Sequence, residues 1–328
     1  MTSKRFGFTL LSVVCLILVT TVSASPSSAD EVTCGQTIML DTLLTHDIGP
    51  CSLGVVIAAS NITFDLGGHR IFGMPSAGPG VLVQGGHGVR IRNGTVSDFG
   101  VGVAIVGGQE NVVTGIQAVN NVGGYGIGAV MSFSNTITGN RVAQNGPRGG
   151  IAVFGTLGPG SGPVGNIVRG NTVENNAAPG IFLGGFARGN VVSGNRVTGN
   201  SSDGIQLQFP TAANQITGNL VAGNGFVASD RRGDGIFVGR DAFEGPPGGA
   251  PEGDQVEANT VLANAANGIH VNSHNNTIRS NRTASNGQLA GPPLAFDLLD
   301  STQGNSCDNN TWSANTFVTA FPPCTTAQ

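Results

Sequence analysis

Asparagine triples recur along the middle of the chain, with four residues between successive members. A new triple begins about every two dozen residues, apart from insertions, and a period of this kind defines the architecture before any other feature. Valine or isoleucine lies between the asparagines, and a Gly-Ile pair such as Gly180-Ile181 follows each triple. The triples are Asn135, Asn140 and Asn145; Asn166, Asn171 and Asn176; Asn190, Asn195 and Asn200; and Asn214, Asn219 and Asn224.

Short β-branched runs bounded by Gly and Asn predict strands joined by tight turns. Helices are disfavoured, because each glycine in a helix interior costs up to about 1 kcal/mol relative to alanine. If each repeat is one turn of a coil, equivalent side chains stack at the strand spacing of about 4.8 Å. Stacked asparagines can then hydrogen-bond to one another, and stacked Val and Ile form a core that no single repeat could bury.

The pattern resembles the right-handed parallel β-helix repeat family, the fold of pectate lyases, polygalacturonases and NosD-type repeat proteins. The run from Asn61 to Gly73, with Asp65 and His69, resembles the first coil of these families. The resemblance implies an all-β, right-handed parallel β-helix (solenoid) of about nine to ten coils. It is specific for architecture and weak for function, because many activities use this coil.

The N-terminus predicts a targeting segment. Lys4 and Arg5 precede an apolar run that ends near Val22, and Val22-Ser23-Ala24 offers a small-residue cleavage site. We therefore expect residues 1–24 to be a signal peptide, and the mature protein to be secreted and extracellular, without membrane attachment after cleavage.

Four cysteines follow the predicted signal peptide: Cys34, Cys51, Cys307 and Cys324. An even number in an exported chain predicts disulfides, and four cysteines allow three pairings. Because the two couples lie at opposite ends of the stack, we expect Cys34–Cys51 and Cys307–Cys324. These would hold an N-terminal cap at residues 25–54 and a C-terminal cap at 301–328, on either side of a β-helix at 55–300.

Composition limits the partners. Of 328 residues, 53 are glycine and only 10% are charged, which suits a solenoid better than a globule with one thick core. The net charge is −4 and no lysine follows Lys4. Nucleic acid and anionic membrane surfaces favour clustered cations, so neither is an expected partner. The sequence does not indicate an oligomeric state.

Charge and loop length increase in the sixth and seventh coils, where long loops run from Phe226 to Asp234 and from Arg240 to Glu257. Long loops on a rigid scaffold are frequent functional sites. The outward strand positions below them are expected to bind substrate, with Arg231 and Arg232 from the first loop: Gln206, Gln208, Phe237 and Asn272. Outward positions of earlier coils, such as Phe154 and Phe182, are expected to form a bland surface.

The resemblance to lyases and epimerases of this fold places a groove over coils six to nine. His270 is the expected base, and Arg240 is expected to bind a substrate carboxylate. Hydrolysis would instead need two carboxylates about 5 to 9.5 Å apart. Asp234, Asp241 and Asp297 are the candidates, with Asp297 expected on the same stripe as His270. The alternative is that these charges form only surface ion pairs.

We therefore expect a β-helix protein that binds or processes an extracellular polysaccharide or cell-surface glycan, with catalysis by a lyase, epimerase or glycoside hydrolase left open. The alternatives are a non-catalytic structural or partner-binding repeat protein and a NosD-type accessory protein that helps deliver a metal. No cofactor and no metal site are predicted, apart from a calcium option, because calcium prefers carboxylate oxygens. The calcium candidates are Asp230, Asp234, Asp241, Glu252 and Asp254.

Overall fold

The computed structural model describes residues 31–74, 77–155, 162–226, 233–239, 252–289, 294–302 and 307–326. The chain divides into two units, Met1–Glu31 and Val32–Gln328, and of the first only Glu31 is described. The predicted signal peptide and five loop residues lie outside the described residues: Asp230, Arg231, Arg232, Arg240 and Asp241. In the part of the chain that the structure describes, no helix is both long and apolar enough to span a membrane.

The second unit consists of short strands. Two 3-10 turns, Cys307–Asn309 and Pro323–Thr326, lie near its C-terminal end. In chain order the strands are β1 (Thr37–Ile38), β2 (Thr42–Leu43), β3 (Ile48–Cys51), β4 (Val55–Ile57), β5 (Thr63–Asp65), β6 (Arg70–Gly73), β7 (Pro79–Gln84), β8 (Arg90–Ser97), β9 (Val101–Val106), β10 (Val112–Val119), β11 (Tyr125–Val130), β12 (Thr136–Thr138), β13 (Arg141–Ala143), β14 (Gly149–Phe154), β15 (Ile167–Arg169), β16 (Thr172–Glu174), β17 (Ile181–Gly184), β18 (Val191–Ser193), β19 (Arg196–Thr198), β20 (Ile205–Gln208), β21 (Gln215–Thr217), β22 (Leu220–Ala222), β23 (Ile236–Gly239), β24 (Gln255–Glu257), β25 (Thr260–Leu262), β26 (Ile269–Asn272), β27 (Thr277–Arg279), β28 (Arg282–Ala284), β29 (Leu298–Asp300), β30 (Thr311–Ser313) and β31 (Ala320–Phe321).

The strands stack in parallel, so the predicted parallel β-helix is confirmed. Twelve described strands form sheet A, in the order β1-β4-β7-β9-β11-β14-β17-β20-β23-β26-β29-β31. The other strands form sheet B, in two columns that merge at β8 and β10 because each of these strands has eight residues. β1 pairs with β4 and β31 with β29, so parallel pairing extends beyond residues 55 and 300, the predicted limits of the β-helix.

The core is a set of aliphatic files inside the stack. Along sheet A each inward residue pairs in register with its equivalent one coil away. One buried file contains Val81, Val103, Ile127, Ile151, Ile181, Ile205, Ile236, Ile269 and Leu298. Glycine precedes many of these residues because space is short: a Cβ at Gly204 would overlap Val221 Cγ1 and lie 2.7 Å from the carbonyl O of Gly235.

The asparagines lie in three buried files, as the spacing predicts. In the middle file, Asn171 Nδ2 donates to Asn195 Oδ1 at 3.0 Å, and Asn195 Nδ2 donates to Asn219 Oδ1 at 3.0 Å. Each amide also donates to a backbone carbonyl of the previous coil, as Asn195 does to Val168 at 2.9 Å. A buried amide with all of its groups paired stabilises the turn, whereas an unpaired one would cost about 1–3 kcal/mol.

Two of these files contain an aspartate. Asp254 takes an asparagine position in the first file, where Oδ1 accepts from Asn214 Nδ2 at 2.9 Å and Oδ2 accepts from the Thr211 hydroxyl at 2.8 Å. Asp297 ends the third file and accepts from Asn286 Nδ2 at 2.8 Å. Both carboxylates therefore satisfy buried donors of the scaffold.

Both predicted disulfides are confirmed. Cys34–Cys51 lies at the N-terminal end of the stack and Cys307–Cys324 at the C-terminal end, each with a sequence separation of 17 residues. On the chain-entropy model a loop of that size stabilises the fold by about 3 kcal/mol. The disulfides thus strengthen the two ends, where a solenoid lacks a neighbouring coil.

Candidate functional site

One outward stripe of sheet A changes character along the stack. In its first half the stripe carries Leu82, Ala104, Gly128 and Ala152, which are small or aliphatic. The next coils carry Phe182, Gln206, Phe237 and His270, each in register with the one before. Since neighbouring strands lie about 4.8 Å apart, this second half is a continuous surface of aromatic and polar groups.

A row of aromatic rings borders the stripe. Tyr125 and Phe154 have ring centroids 5.9 Å apart, and Phe154 and Phe182 are separated by 6.5 Å. Phe182 contacts Phe209 edge to face, also at 6.5 Å. The expectation that Phe154 and Phe182 form a bland surface is therefore wrong, because stacking brings aromatic residues of separate coils together.

These rings line a cleft of about 520 Å³. Its wall contains Arg148, Phe154, Phe182, Gln206 and Phe209, among other residues. Gln206 is only 2% exposed, and among the described residues its Nε2 has no hydrogen-bond partner. A buried amide donor without a partner is costly, so a rotation of the Gln206 side chain that lets a ligand in the cleft accept from it would recover that free energy.

The other predicted binding residues of this face are mostly buried. Gln208 is 3% exposed and Phe237 is 5% exposed, so neither is the open side chain that the alternating pattern predicts. Phe237 packs edge to face against His270, with ring centroids 5.1 Å apart. Asn272 is half-buried on β26, two residues beyond His270.

His270 forms the polar centre of the stripe. Its Nδ1 lies 2.8 Å from Asp234 Oδ2, and its Nε2 lies 2.8 Å from Ser301 Oγ. The side chains of His270 and Asp234 are largely buried, at 18% and 9% exposed, whereas Ser301 is exposed. With Asp234 ionised, its Oδ2 accepts a hydrogen bond from Nδ1–H of His270, which leaves Nε2 to accept a hydrogen bond from the Ser301 hydroxyl.

A chain of buried side chains holds Asp234 in place. Its Oδ1 accepts from the backbone N–H and the side-chain amide of Asn267, both at 2.8 Å. One coil earlier, Asp203 Oδ1 accepts from the backbone N–H groups of Gly233 and Asp234 at 3.0 and 2.9 Å. Only Oδ2 of Asp234 faces His270, so the scaffold fixes the carboxylate and leaves one oxygen to orient the imidazole.

The electrostatics of the centre follow from burial and from three carboxyl groups. Burial, followed by the nearby charge of Asp234, raises the pKa of Asp203 well above its ordinary value. Burial opposes a charged imidazole, yet Asp234, with Asp203 and Asp300 behind it, raises the pKa of His270. The structure thus brings Asp203, Asp234, Asp300 and Ser301 to the predicted base.

Asp297 does not join this centre. The sequence places it on the stripe of His270, but Leu299 is the residue in register with His270. Asp297 lies before β29, where its Oδ2 accepts from the backbone N–H groups of Val318 and Thr319 at 3.0 and 3.1 Å. All of these bonds close the C-terminal end of the stack.

The described residues do not assemble a metal site. Across the described ranges, no group of three or more His, Cys, Asp and Glu side chains is placed to hold an ion. Of the calcium candidates, Asp254 lies in the first asparagine file, Asp234 faces His270, and Glu252 pairs with His274 at 3.4 Å. Asp230 and Asp241 lie outside the described residues.

Sequence reasoning missed four contributors to this face: Asp203, Ser301, Arg148 and Phe209. The sequence contains a signal for Asp203, because Asp-Gly-Ile occurs at both 203–205 and 234–236 and Asn-Gly-Ile occurs at 267–269. The residue before each Gly-Ile pair therefore stacks as a further short file. Ser301 follows β29 and belongs to no repeat, so only the structure identifies it.

Comparisons with known proteins place this geometry in context. The sequence model of the family described as NosD, periplasmic copper-binding protein, matches residues 59–238. No curated protein sequence matches the chain. In the described ranges no group of three or more His, Cys, Asp and Glu side chains is placed to hold copper, the four described cysteines form disulfides, and both ring nitrogens of His270 have partners.

Three solved structures show the same fold at low identity. The A-module of the Azotobacter vinelandii mannuronan C-5 epimerase AlgE6 has a TM-score of 0.53 and 14% identity, over 89% of this chain and 80% of that one. The periplasmic alginate epimerase AlgG has a TM-score of 0.56 and 16% identity, over 88% and 79%. The Dettilon tailspike protein has a TM-score of 0.56 and 14% identity, over 86% and 53%. This β-helix is thus shared with polysaccharide epimerases.

Proposed function

The chain belongs to the NosD family, and we propose that this member is an exported β-helix protein that binds a polysaccharide along the outer face of sheet A. The single observation that carries the proposal is the cleft of Phe154, Phe182 and Phe209, with the unpaired Gln206 amide in its wall. Ligand sites commonly combine an aromatic lining with a few fixed polar groups.

The chemistry of the cleft suits a sugar. The faces of Phe154 and Phe182 offer apolar surface against which the C–H face of a pyranose ring can pack. The Gln206 Nε2 donor would find its acceptor in a sugar hydroxyl or ring oxygen. Together these two contacts favour a ring with one apolar face and a polar edge.

We propose an acidic glycan in particular. Arg148 lines the cleft, and a guanidinium binds a carboxylate with two parallel hydrogen bonds. His270, whose pKa the Asp234 carboxylate raises, lies on the same stripe. A uronic acid polymer would place one carboxylate at Arg148 and bring later sugars toward His270.

The stripe sets the direction of the bound chain. Gln206, Phe237 and His270 are successive neighbours in register, about 4.8 Å apart. A polymer that follows the stack therefore extends from the cleft to His270. We propose His270 and Asp234 as catalytic residues if the glycan is processed, and Asn272 as a binding residue. The roles predicted for Arg231, Arg232, Arg240 and Asp241 stay predictions, because these residues lie outside the described ranges.

We also propose that the protein works outside the cytoplasm. Two disulfides form and persist in oxidising compartments, which include the periplasm and the extracellular space. Residues 1–24 would direct export, and the caps at 25–54 and 301–328 would close the stack.

Affinity electrophoresis of the purified protein in gels that contain uronic acid polymers or neutral polysaccharides tests the binding proposal. We expect retardation by at least one uronic acid polymer. Phe182→Ala should weaken binding about ten-fold, since an aromatic contact contributes about 1 kcal/mol beyond its area and ten-fold corresponds to 1.4 kcal/mol. Gln206→Leu should weaken it further, because the amide donor is lost.

Leu82→Ala is the matched control, because Leu82 lies on the same outward stripe four coils before Phe182. Its binding should equal that of the wild type. Equal retardation of all variants would show that the cleft does not bind the polysaccharide. No retardation in any gel would contradict polysaccharide binding altogether. Ultraviolet absorbance of unsaturated products and reducing-end assays on the retained polymer then distinguish lyase and hydrolase activity from binding alone.

A further inference from the structure

A serine joins the centre that sequence reasoning placed at His270. Ser301 is exposed, its Oγ lies 2.8 Å from His270 Nε2, and His270 Nδ1 lies 2.8 Å from Asp234 Oδ2. The order is nucleophile, base and orienting carboxylate, each within hydrogen-bond distance of the next. This relation between groups identifies an activated nucleophile whatever the fold or the order of residues in the chain.

We propose that Ser301, His270 and Asp234 form a serine acyl-transfer centre that hydrolyses an ester. Each of the three residues is held in place by contacts of its own, which argues against a chance surface contact. Asp234 is fixed by Asn267, His270 lies on β26 against Phe237, and the backbone N–H of Ser301 donates to the Val271 carbonyl at 2.9 Å. His270 thus lies within a strand, while Asp234 and Ser301 lie just outside strands and are each held by hydrogen bonds to an adjacent coil.

The reaction balances with water as the only co-reactant. The Ser301 Oγ attacks the carbonyl carbon of the ester while its proton passes to His270 Nε2. The C–O bond to the alcohol breaks, and the leaving oxygen takes that proton. Water then attacks the acyl group on Ser301, gives a proton to Nε2, and releases the carboxylic acid as Oγ is protonated again.

The strand register supplies a donor for the developing oxyanion. Asp300 pairs with Val271, and the next residues are Ser301, just after β29, and Asn272, the last residue of β26. An Asn side chain is an effective oxyanion donor, and loss of such a donor lowers kcat by about 100- to 1,000-fold. We assign that role to Asn272.

The substrate class follows from where the centre lies. It occupies the stripe of Gln206 and Phe237, so an acyl or methyl ester carried by a bound glycan would reach Ser301. This choice of carrier rests on the proposed function, whereas ester hydrolysis by Ser301 does not.

Small probes test the centre without any polysaccharide. The purified protein is treated with a fluorophosphonate and analysed by intact mass and peptide mapping, and its rate with p-nitrophenyl acetate is measured. We expect one adduct, on Ser301, and an ester rate well above buffer. Ser301→Ala and His270→Ala should abolish both, while Ser193→Ala, a half-buried serine on β18, should change neither.

The dependence of the ester hydrolysis rate on pH shows whether the Asp234 carboxylate orients His270 or only stabilises the fold. The carboxyl groups whose charge acts on His270 are Asp234 before β23, Asp203 before β20, and Asp300 at the end of β29, which bonds Asn310 and Trp312 inside the stack. Because they raise the pKa of His270, the acid limb of the ester rate should lie above pH 6.5, the ordinary histidine value. In Asp234→Asn the rate should fall about 1,000- to 10,000-fold, with the limb at lower pH.

Three outcomes would overturn the proposal. One is an adduct on another residue, another is full labelling of Ser301→Ala, and the third is a wild-type protein unreactive toward both probes while the glycan still binds. A protein that labels on Ser301 but is retained by no polysaccharide would instead overturn the proposed glycan and leave the ester chemistry standing.

Discussion

Two buried aspartates occupy equivalent settings in different parts of the stack. Asp254, in the first asparagine file, and Asp234, in the turn before sheet A, each accept on Oδ1 from a backbone N–H and a side-chain amide of an adjacent coil. They differ in the second oxygen: Oδ2 of Asp254 accepts from the Thr211 hydroxyl, whereas Oδ2 of Asp234 faces His270. Both oxygens of Asp254 are therefore bonded within the scaffold, whereas Asp234 keeps one oxygen to orient His270.

The comparison teaches how a uniform repeat acquires a site. In both residues the adjacent coil donates two hydrogen bonds to Oδ1 in the same way. The partner of Oδ2 therefore decides whether the carboxylate is structural or acts on His270. Among the described residues no cation lowers the pKa of Asp254, and burial raises that pKa to about 6. Asp234 instead lies beside an imidazole whose pKa it raises.

Asn195→Ala removes an amide from an unaltered part of a file. The backbone N–H and Nδ2 of Asn171 lose their acceptor, Asn195 Oδ1, and the Val168 carbonyl loses its donor, Asn195 Nδ2. At about 1–3 kcal/mol for each buried group left unpaired, the variant should lose about 4 kcal/mol of unfolding free energy. Denaturant titration measures this loss, with Thr198→Ala on the neighbouring strand as the control. A loss below that of the control would show that the files do not stabilise the stack.

Asp254→Asn should stabilise the protein, and only above acidic pH. The folded pKa is about 6 and the ordinary value is 3.8, so ionisation favours the unfolded state progressively between these values. Above pH 6 the amide variant should gain about 3 kcal/mol, at 1.36 kcal/mol per pKa unit, and below pH 3.8 it should gain nothing. Urea titrations at pH 3.5 and pH 8 provide the measurement. A variant less stable than wild type at pH 8 would contradict an absorbed, uncompensated carboxylate.

Asp234→Asn should destabilise the protein at low pH. A raised histidine pKa contributes stability that is complete below the unfolded pKa of about 6.5 and is lost as pH rises through the folded value. The variant should lose about 2 kcal/mol at pH 6, the usual size of a hydrogen bond to a charged group, and less at pH 9. NMR titration should also show a lower His270 pKa. An unchanged His270 titration would show that Asp234 does not raise the pKa of His270. Asp254→Asn, a buried substitution of the same kind away from His270, is the matched control.

Arg279→Ala should have the smallest effect. Arg279 pairs with Glu257 on the outer side of sheet B at 2.9 Å, with its side chain 52% exposed. Exposed pairs contribute about 0.2–1 kcal/mol, so thermal unfolding should shift little and polysaccharide binding should not change. A loss of glycan binding would move the functional face from sheet A to sheet B.

Much of the fold could be predicted from sequence because the repeat is one-dimensional. Identical neighbours one coil apart fix the asparagine files and the Gly-Ile positions, and the cysteine positions indicate the two disulfides. The outward face of sheet A was harder to predict, since the alternation of residues along a strand indicates which way a side chain points but not how deeply it is buried. Gln206 points outward and is nevertheless buried, because Phe182 and Phe209 lie beside it. Asp297 was misplaced because it ends a file instead of entering the strand.

The candidate site was predicted only in part. His270 and Asp234 were identifiable as polar residues near Gly-Ile pairs, and stacking brings them together. Ser301 was not, because its neighbours in sequence have no counterpart in other coils. The aromatic row was missed because its members come from different coils, and each ring alone looks like an ordinary surface residue.

The most direct test of the account is a crystal structure of the protein with an oligosaccharide of the retained polymer. We predict a sugar ring against Phe154 or Phe182, an acceptor within about 3.2 Å of Gln206 Nε2, and further rings that extend along the stripe toward His270. Sugar density over sheet B, or a cleft that stays empty while the oligosaccharide binds elsewhere, would contradict the central claim that the outer face of sheet A is the functional surface.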